Sequence, residues 1–182
     1  LPSSFEEYLK GLKSRDRRNL RRRSKNLSAH FGGNIKLVRI STSEQVPFFL
    51  STLDRISKNS WQSQVYGEQS RDTAAAKGYY TLLAERGWLR SYLLFGNEAP
   101  LAFQIGLQAC SQYSFVETGY DSRWAKWGPG TVLEFLVLED LLSAAPPDSA
   151  DFGFGDAEYK RILANTSHYE LEHVYLASAW SL

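Results

Sequence analysis

The chain contains no methionine and one cysteine, and its hydrophobic residues never form a long run. A single thiol, Cys110, excludes an intramolecular disulfide and an all-cysteine metal site, and it is typical of a reducing compartment. No apolar stretch approaches the roughly 20 residues needed to cross a bilayer, and no signal peptide is visible. We therefore expect a cytoplasmic protein without a membrane span. Because the chain opens at Leu1 and has no methionine, we expect it to be a piece of a longer protein.

The composition is that of a folded domain. The 182 residues are 43% hydrophobic, and ten Phe, ten Tyr and five Trp can fill a sizeable core. This excludes disordered, collagen-like and low-complexity chains. The length suits one domain, or a domain with an appendage. The three histidines are spread along the chain without ligand-like spacing, so no metal site is expected.

The net charge of +1 conceals a strong asymmetry along the chain. Residues 15–25 (RDRRNLRRRSK) carry seven basic groups and one acid, whereas nine acids and two bases follow from Gly130 onward. Two interpretations of the basic run are open. It is either a site for phosphates, of a nucleotide, tRNA or an acidic membrane, or a solvated helix that pairs with the acidic half of the domain.

The first third of the chain predicts three helices and a strand. A capping box, Ser4 to Glu7, starts the first helix, and the basic segment forms a second helix that ends before Gly32-Gly33. Residues 34–41 alternate as a strand. A second capping box, Thr42 to Gln45, opens a helix that runs to about residue 59, with proline in its first turn. A polar loop with two aromatic residues, Trp61 and Tyr66, follows.

The pattern then changes from helical to strand periodicity. Asp72 or Thr73 caps a helix that ends at Gly87, and strands follow at 88–95, 100–108 and 113–118. We expect the two hairpin turns at Gly96-Asn97 and Ser111-Gln112. A loop rich in Gly and Trp leads into a helix at 131–142. A short strand at 151–154, a short helix at 157–163 and a final strand at 171–179 complete the chain.

After the basic helices the order is therefore β-α-α-β-β-β-α-β-α-β. This predicts an α/β (α+β) fold with a mixed, mostly antiparallel sheet and helices on both faces. We expect residues 1–33 to form a basic helical extension that packs on a domain of residues 34–182. Where the sheet changes from antiparallel to parallel, two strands can splay, and a ligand can enter the gap at their carboxyl ends.

Three segments, together with this order, carry a family resemblance: FEEYLKGLKSRDRRNLRRRSKNL, YDSRWAKWGPGTVLEFLVLEDLL and DFGFGDAEYKRIL. They resemble the GCN5-related N-acetyltransferase (GNAT) superfamily. More narrowly they are similar to its bacterial CelD-like branch, which has a suggested link to cellulose biosynthesis. The branch is also similar to Fem-type transferases, which use aminoacyl-tRNA. The resemblance implies a GNAT-like fold and acetyl-CoA or another acyl-CoA as co-substrate, with no metal.

The resemblance implies a diphosphate-binding loop before the central helix. GNAT proteins carry Gln/Arg-x-x-Gly-x-Gly/Ala there, and this chain has Ala125-Lys-Trp-Gly128-Pro-Gly130. Glycine lets the backbone approach a diphosphate closely, and the helix start presents free N–H groups. Ala125 departs from the pattern, and Pro129 removes one donor. The residues expected to bind the cofactor are Arg123, Lys126, Trp127, Gly128, Gly130 and Thr131.

The resemblance also implies groups for the chemistry. Many GNAT enzymes protonate the leaving thiolate with a Tyr on the short helix after the fifth strand, where Tyr159 lies in this chain. Glu117 and Asp121 are the carboxylates nearest the expected cleft, and either could accept a proton. The alternatives are a packing tyrosine, a cross-strand pair with an arginine for Glu117, and a cap for Asp121. The residues expected to bind the acceptor substrate are Tyr120, Asp156 and Lys160.

Three functions follow from these patterns. The first is acyl-CoA-dependent transfer to an amine or hydroxyl of a small molecule or saccharide, with direct attack on the thioester. The second is Fem-like aminoacyl transfer, which would use the basic helix for tRNA; otherwise no nucleic acid is expected. The third is a binding module that keeps the fold without the activity. The patterns leave the acceptor and the oligomeric state open.

Overall fold

The structure is a computed structural model, and it describes residues 1–60, 70–143 and 146–169. The aromatic residues of the polar loop, Trp61 and Tyr66, lie outside the described residues, and so does the predicted final strand at 171–179. The described part suffices to test the rest of the predicted order.

One sheet forms the centre of the molecule. Its strands are β1 Ile35–Ile40, β2 Ser91–Gly96, β3 Ala99–Ala109, β4 Gln112–Tyr120 and β5 Ser149–Asp151. They lie in sequence order, and each neighbouring pair is antiparallel except β4 and β5, which are parallel. The prediction of a mixed, mostly antiparallel sheet is therefore confirmed.

Helices cover both faces of the sheet. They are α1 Phe5–Gly11, α2 Ser14–His30, α3 Val46–Ser57, α4 Ala74–Glu85, α5 Pro129–Ser143 and α6 Glu158–Leu163, with 3-10 helices at Ser43–Gln45 and Ser122–Trp127. Buried residues of α1, α2 and α5 form one core with Tyr92 and Leu94 of β2. Those of α3 and α4 form a second core with Leu93 from the opposite face of the same strand. The alternation follows the two-residue period of a strand.

Local signals set most helix boundaries as predicted. The Ser4 hydroxyl accepts from the Glu7 N–H at 3.2 Å, and the Thr73 hydroxyl accepts from the Ala76 N–H at 3.1 Å. Gly87 follows α4 with φ +69°, the left-handed conformation that glycine adopts without strain. The helix predicted at 131–142 begins two residues earlier, because Pro129 is well suited to a first helical position, where its N–H is not needed.

Both hairpin turns differ by one residue from the prediction. Positive φ angles occur at Asn97 in the first turn and at Cys110 and Ser111 in the second. Gly96 belongs to β2, where it pairs with Ile35. A Cβ at this position would lie 2.6 Å from the Phe31 ring, so the packing requires glycine. The packing of a distant aromatic residue, rather than turn chemistry, therefore decides the role of this glycine.

A second glycine, Gly106 of β3, leaves room for the Tyr113 side chain and the Arg90 carbonyl. The register between β3 and β4 shifts at Ile105/Gly106. A Cβ at Gly106 would lie 1.8 Å from the Tyr113 hydroxyl oxygen and 2.6 Å from the Arg90 carbonyl oxygen. The Tyr113 hydroxyl donates to that carbonyl at 3.0 Å. The buried hydrogen bond thus depends on the missing side chain.

We expect Gly106→Ala to lower the free energy of unfolding by about 3 kcal/mol, because it overpacks the core and displaces a buried hydrogen bond. Gly78→Ala, in α4, is the matched control because its new Cβ would meet nothing within 4 Å. That change should stabilise the protein by about 0.5–1 kcal/mol, as alanine favours a helix. Urea unfolding measures both, and equal effects of the two substitutions would contradict this account.

Candidate active site

A cleft opens where β4 and β5 stop pairing. The two strands are paired only from Gln112–Ser149 to Ser114–Asp151, and β4 continues for six residues beyond. The gap holds a cavity of about 400 Å³. Its lining residues are Gln104, Ser114–Thr118, Asp151–Phe154, Tyr159 and Lys160. Beyond Ser114, β4 has no strand partner on this side within the described residues, so its backbone groups face the cavity edge.

One wall of the cleft carries Glu117, which is half-buried. Its carboxylate accepts from the Arg71 guanidinium at 2.6 Å, an ion pair with the segment before α4. The pKa of Arg71 is raised, first by this hydrogen bond. Glu117 therefore pairs with Arg71 from the segment before α4, and not with an arginine on a neighbouring strand as expected. No local pattern in the sequence indicates this partner.

The opposite wall carries Tyr159 and Lys160 from α6. Tyr159 is half-buried, and its ring lies edge-on to Phe152 at 6.3 Å between centroids. Burial, and then the charge of Glu134, raise the pKa of Tyr159 to about 12. The Lys160 ammonium donates to the carbonyls of Gly153 and Phe154. Tyr159 therefore keeps its proton at neutral pH and can act only as an acid.

Two of the expected residues lie away from this cleft. Asp156 is exposed and pairs with Arg161 at 2.8 Å rather than capping α6 or pairing with Lys160. Asp121 is fully buried, caps the 3-10 helix through the Arg123 N–H and accepts from the Arg123 side chain at 2.5–3.0 Å. The charge of Arg123 is thereby committed to Asp121.

The glycine turn lies at the start of α5. Gly128 has φ +61°, and Pro129 fills the first helical position. The N–H groups of Gly130 and Thr131 are at the helix start, where no intrahelical acceptor exists, and no other acceptor reaches them within the described residues. Tyr120 lies beside Gly130, with its Cδ1 3.3 Å from where a Cβ would be. Since Tyr120 is two residues after Thr118, the cleft and the turn are about 7 Å apart along β4.

Helix α2 packs beside this turn. A Cβ at Gly128 would lie 2.9 Å from Nη1 of Arg23, which is exposed and has no hydrogen-bonding or ionic partner among the described residues. Trp127 stacks on His30 at 4.4 Å, and the Lys126 ammonium lies 4.9 Å from the Trp127 ring centroid. A guanidinium from another helix thus lies beside Gly128 of the glycine turn.

Sequence reasoning missed Arg23 and also the carboxyl of Glu134 in α5. Its side chain is 1% exposed, and neither oxygen has a hydrogen-bond partner within the described residues. Burial raises its pKa to about 8, although Thr118 and Lys160 lower it in part. The available signal was one acid among the buried residues Val132, Leu133 and Phe135.

The comparisons with known proteins decide the family. The model of the acetyltransferase (GNAT) domain matches residues 14–161, most of the chain. The chain belongs to this family. Membership supports acyl transfer as the general class of reaction, and such domains generally use acetyl-CoA. No curated protein matches the sequence significantly.

Solved structures share the fold of this GNAT domain. An aminoglycoside acetyltransferase from an uncultured soil metagenomic sample, in complex with sisomicin, aligns with a TM-score of 0.56 at 13% identity, over 81% of this chain and 99% of the other. The trehalose complex gives 0.55 at 13% identity, over 80% and 97%. FemX gives 0.57 at 14% identity, over 90% of this chain and 53% of FemX. The chain thus spans about half the length of FemX.

The described residues contain no helix long and apolar enough to cross a membrane. They also contain no group of three or more His, Cys, Asp or Glu side chains arranged to hold a metal ion.

We expect Glu134→Gln to stabilise the protein increasingly as the pH rises. Between the ordinary pKa of 4.5 and the raised value of about 8, the folded protein binds a proton that the unfolded chain releases, so the wild type loses stability across this window. The variant should exceed the wild type by on the order of 4 kcal/mol at pH 9 and by little at pH 5.

Urea unfolding at the two pH values measures this difference. Glu139→Gln, at an exposed position on the same helix, is the matched control. If Glu134→Gln changed stability equally at both pH values, the buried carboxyl would not have a raised pKa.

Proposed function

We propose that this GNAT domain transfers an acyl group from acyl-CoA, with acetyl-CoA as the simplest donor, to an amine or hydroxyl of a small molecule or saccharide. The observation that carries the proposal is the gap between β4 and β5, which leads along β4 to the glycine turn. A thioester can lie in the gap while its diphosphate lies at the turn. The complexes of the aminoglycoside acetyltransferase with sisomicin and trehalose support a saccharide acceptor.

The residues at the turn fit a diphosphate. The N–H groups of Gly130 and Thr131 and the positive end of α5 attract anions. Pro129 has no N–H, but an N–H at the first helical position would have no acceptor within the helix, so no helical hydrogen bond is lost. Arg23, from α2, supplies the charge that Ala125 lacks, and a side chain at Gly128 would collide with it. We propose that Lys126, Trp127 and Arg123 border this site rather than form its centre.

The cleft residues fit the chemistry of acyl transfer. A backbone N–H of β4 beyond Ser114 can bind the thioester oxygen, a contact that stabilises charge developing on that oxygen. As the new bond to the acceptor forms and the C–S bond breaks, Tyr159 donates its proton to the sulfur. We propose Glu117 rather than Asp121 for proton acceptance, because Asp121 is buried outside the cleft lining. Tyr120 and Lys160 border the space for the acceptor, and Asp156 lies farther out.

The narrower CelD-like assignment rests on the segment DFGFGDAEYKRIL. Its residues 151–154 form one end of the cleft, and Tyr159 and Lys160 form the opposite wall. The segment therefore contributes to the cleft as well as to the core, where Leu163 is buried, and its place at the cleft supports this branch. We also propose a cytoplasmic location, since the lone cysteine is typical of a reducing compartment.

We propose as well that residues 1–33 form an extension that packs on the domain of residues 34–182. The shared core of α1, α2 and α5 supports this packing.

A Fem-like aminoacyl transfer is the second candidate, and the exposed surface of α2 favours it. Arg15, Arg18, Asn19 and Arg22 border a hollow of about 350 Å³. Arginines without acidic partners attract a polyanion such as tRNA. The two candidates differ in the carrier of the acyl group, so one experiment separates them.

We expect acetyl-CoA to raise the melting temperature of the wild type, because it binds the folded state alone. Arg23→Gln should weaken binding about tenfold, the loss of one charge-assisted hydrogen bond to the diphosphate. Arg21→Gln is the matched control from the same helix. Acetyl-pantetheine, which has no diphosphate, should bind both variants as it binds the wild type.

Calorimetric titration and thermal shift assays measure these affinities. A wild type that acetyl-CoA does not stabilise would contradict the proposal. Stabilisation by aminoacyl-tRNA in its place would establish the second candidate. An Arg23→Gln variant that binds acetyl-CoA normally would leave the transferase assignment intact and remove Arg23 from the site.

We expect Tyr159→Phe to lower kcat about 100-fold with little change in KM, because general acid catalysis contributes at least this factor. Tyr79→Phe, an exposed residue of α4, is the control that should leave turnover unchanged. Thiol release from acetyl-CoA in the presence of glucosamine measures both. If the domain is a binding module without activity, no turnover is seen in any of the three proteins.

A further inference from the structure

Asp54 of α3 holds the segment before α4 against the domain. One oxygen of its carboxylate, Oδ2, accepts from the Ser70 hydroxyl at 2.7 Å, and the other, Oδ1, accepts from the Arg71 N–H at 2.6 Å. Hydrogen bonds to an ionised acceptor are shorter and stronger than those between neutral groups. The backbone of Arg71 therefore has a fixed place relative to α3.

The Arg71 guanidinium is held in turn between two groups of the sheet. Its Nη1 donates to Glu117 Oε2 on β4 at 2.6 Å, and its Cζ lies 5.6 Å from the centroid of the Phe103 ring on β3. A cation over an aromatic ring is attracted to the ring face. Because the guanidinium is fixed by its own backbone and by this ring, it also fixes the direction of the Glu117 carboxylate.

Arg71 occupies one oxygen of the Glu117 carboxylate and leaves the other one available. Both oxygens of an ionised carboxylate accept hydrogen bonds. Within the part of the chain that the structure describes, Glu117 Oε1 has no hydrogen-bond donor. Glu117 lines the cavity between β4 and β5, whereas Arg71 does not belong to its lining. Any effect of Arg71 on the cleft is therefore expected to pass through Glu117.

The stability of the domain does not explain why this pair is held so closely. The side chains of Arg71 and Glu117 are 34% and 38% exposed, and an ion pair with this exposure contributes little to folding. A second ion pair of the same segment, Lys77 with Asp72 at 2.9 Å, lies away from the cavity lining and serves as a comparison. The two pairs differ in that one of them ends on the wall of the cleft.

We propose that Arg71 is a positioning residue of the transfer step, which directs Glu117 Oε1 toward the acceptor, and that Asp54 positions Arg71. The inference rests on the proposed function. As the neutral acceptor amine bonds to the thioester carbon, a proton of its nitrogen passes to Glu117 Oε1. The C–S bond breaks, and its electron pair leaves with the sulfur, which takes the Tyr159 proton. Glu117 then releases a proton to water and Tyr159 regains one, so the amide and the free thiol are the products.

Thiol release from acetyl-CoA, with glucosamine as the acceptor probe, tests this role. Arg71→Gln should lower kcat about tenfold, the loss of one charge-assisted hydrogen bond, with the KM for acetyl-CoA within about twofold. Arg71→Lys, which keeps a cation, should recover part of the rate. Asp54→Asn, which loses one of its two acceptor oxygens, should lower kcat about threefold. Lys77→Gln, which breaks the comparison pair, should keep the wild-type kcat.

A double-mutant cycle measures whether Arg71 acts through Glu117. Glu117→Gln should lower kcat about 100-fold, as expected for the loss of a general base. Adding Arg71→Gln to this variant should cost less than about a further twofold, because no carboxylate is left to position. A further tenfold loss in the double variant overturns the proposal, since Arg71 would then act independently of Glu117.

The outcomes separate this proposal from the proposed function. A wild type that releases no thiol overturns both, whereas a wild type that turns over, with an Arg71→Gln variant of equal kcat, overturns the positioning role alone. Arg71→Gln and Lys77→Gln should unfold at the wild-type urea midpoint. A slower Arg71→Gln whose midpoint falls well below that of Lys77→Gln, and whose rate Arg71→Lys does not recover, reflects damage to the fold and also overturns the positioning role.

Discussion

The shortness of the parallel pairing between β4 and β5 is the constraint on which the rest of the structure depends. Three residue pairs are made, and the chain then turns away at Gly153, which has φ +66° and whose N–H donates to the Asp151 carboxylate. A longer β5 would satisfy the backbone of β4 and close the sheet. Because the chain turns, the edge of β4 becomes the wall of a cleft.

Helix α5 connects β4 to β5, the two strands that splay apart at the cleft. It lies between the sheet on one side and α1 and α2 on the other. A helix covered on both sides is apolar around most of its circumference, and Glu134 lies on a covered face rather than at an exposed position such as Glu139. At the start of the same helix, Gly128 and Gly130 are partly exposed.

Local signals predicted the elements, and distant contacts decided the site. Thr73 and Gly87 are chemical signals of helix ends, and the strand order followed from periodicity. The role of Gly96 could not be predicted, because it depends on the ring of Phe31 from another element. Arg23 and Glu134 were missed for the same reason: their importance comes from a neighbour far away in sequence or from burial. The Arg123 pairing with Asp121 likewise needed the folded 3-10 helix.

The charge of α2 bears on why the loop tolerates alanine at position 125. The acidic half of the chain does not neutralise this helix within the described residues: Asp140 pairs with Arg39 and Arg90. Among the described residues, an arginine of the helix pairs with an acid where Arg21 meets Glu6, 3.8 Å apart and exposed, and such a pair contributes little. A helix whose cations lack acidic partners keeps its attraction for anions, and it passes the turn at Arg23. In the function that we propose, Arg23 supplies from α2 the charge that the loop lacks at position 125.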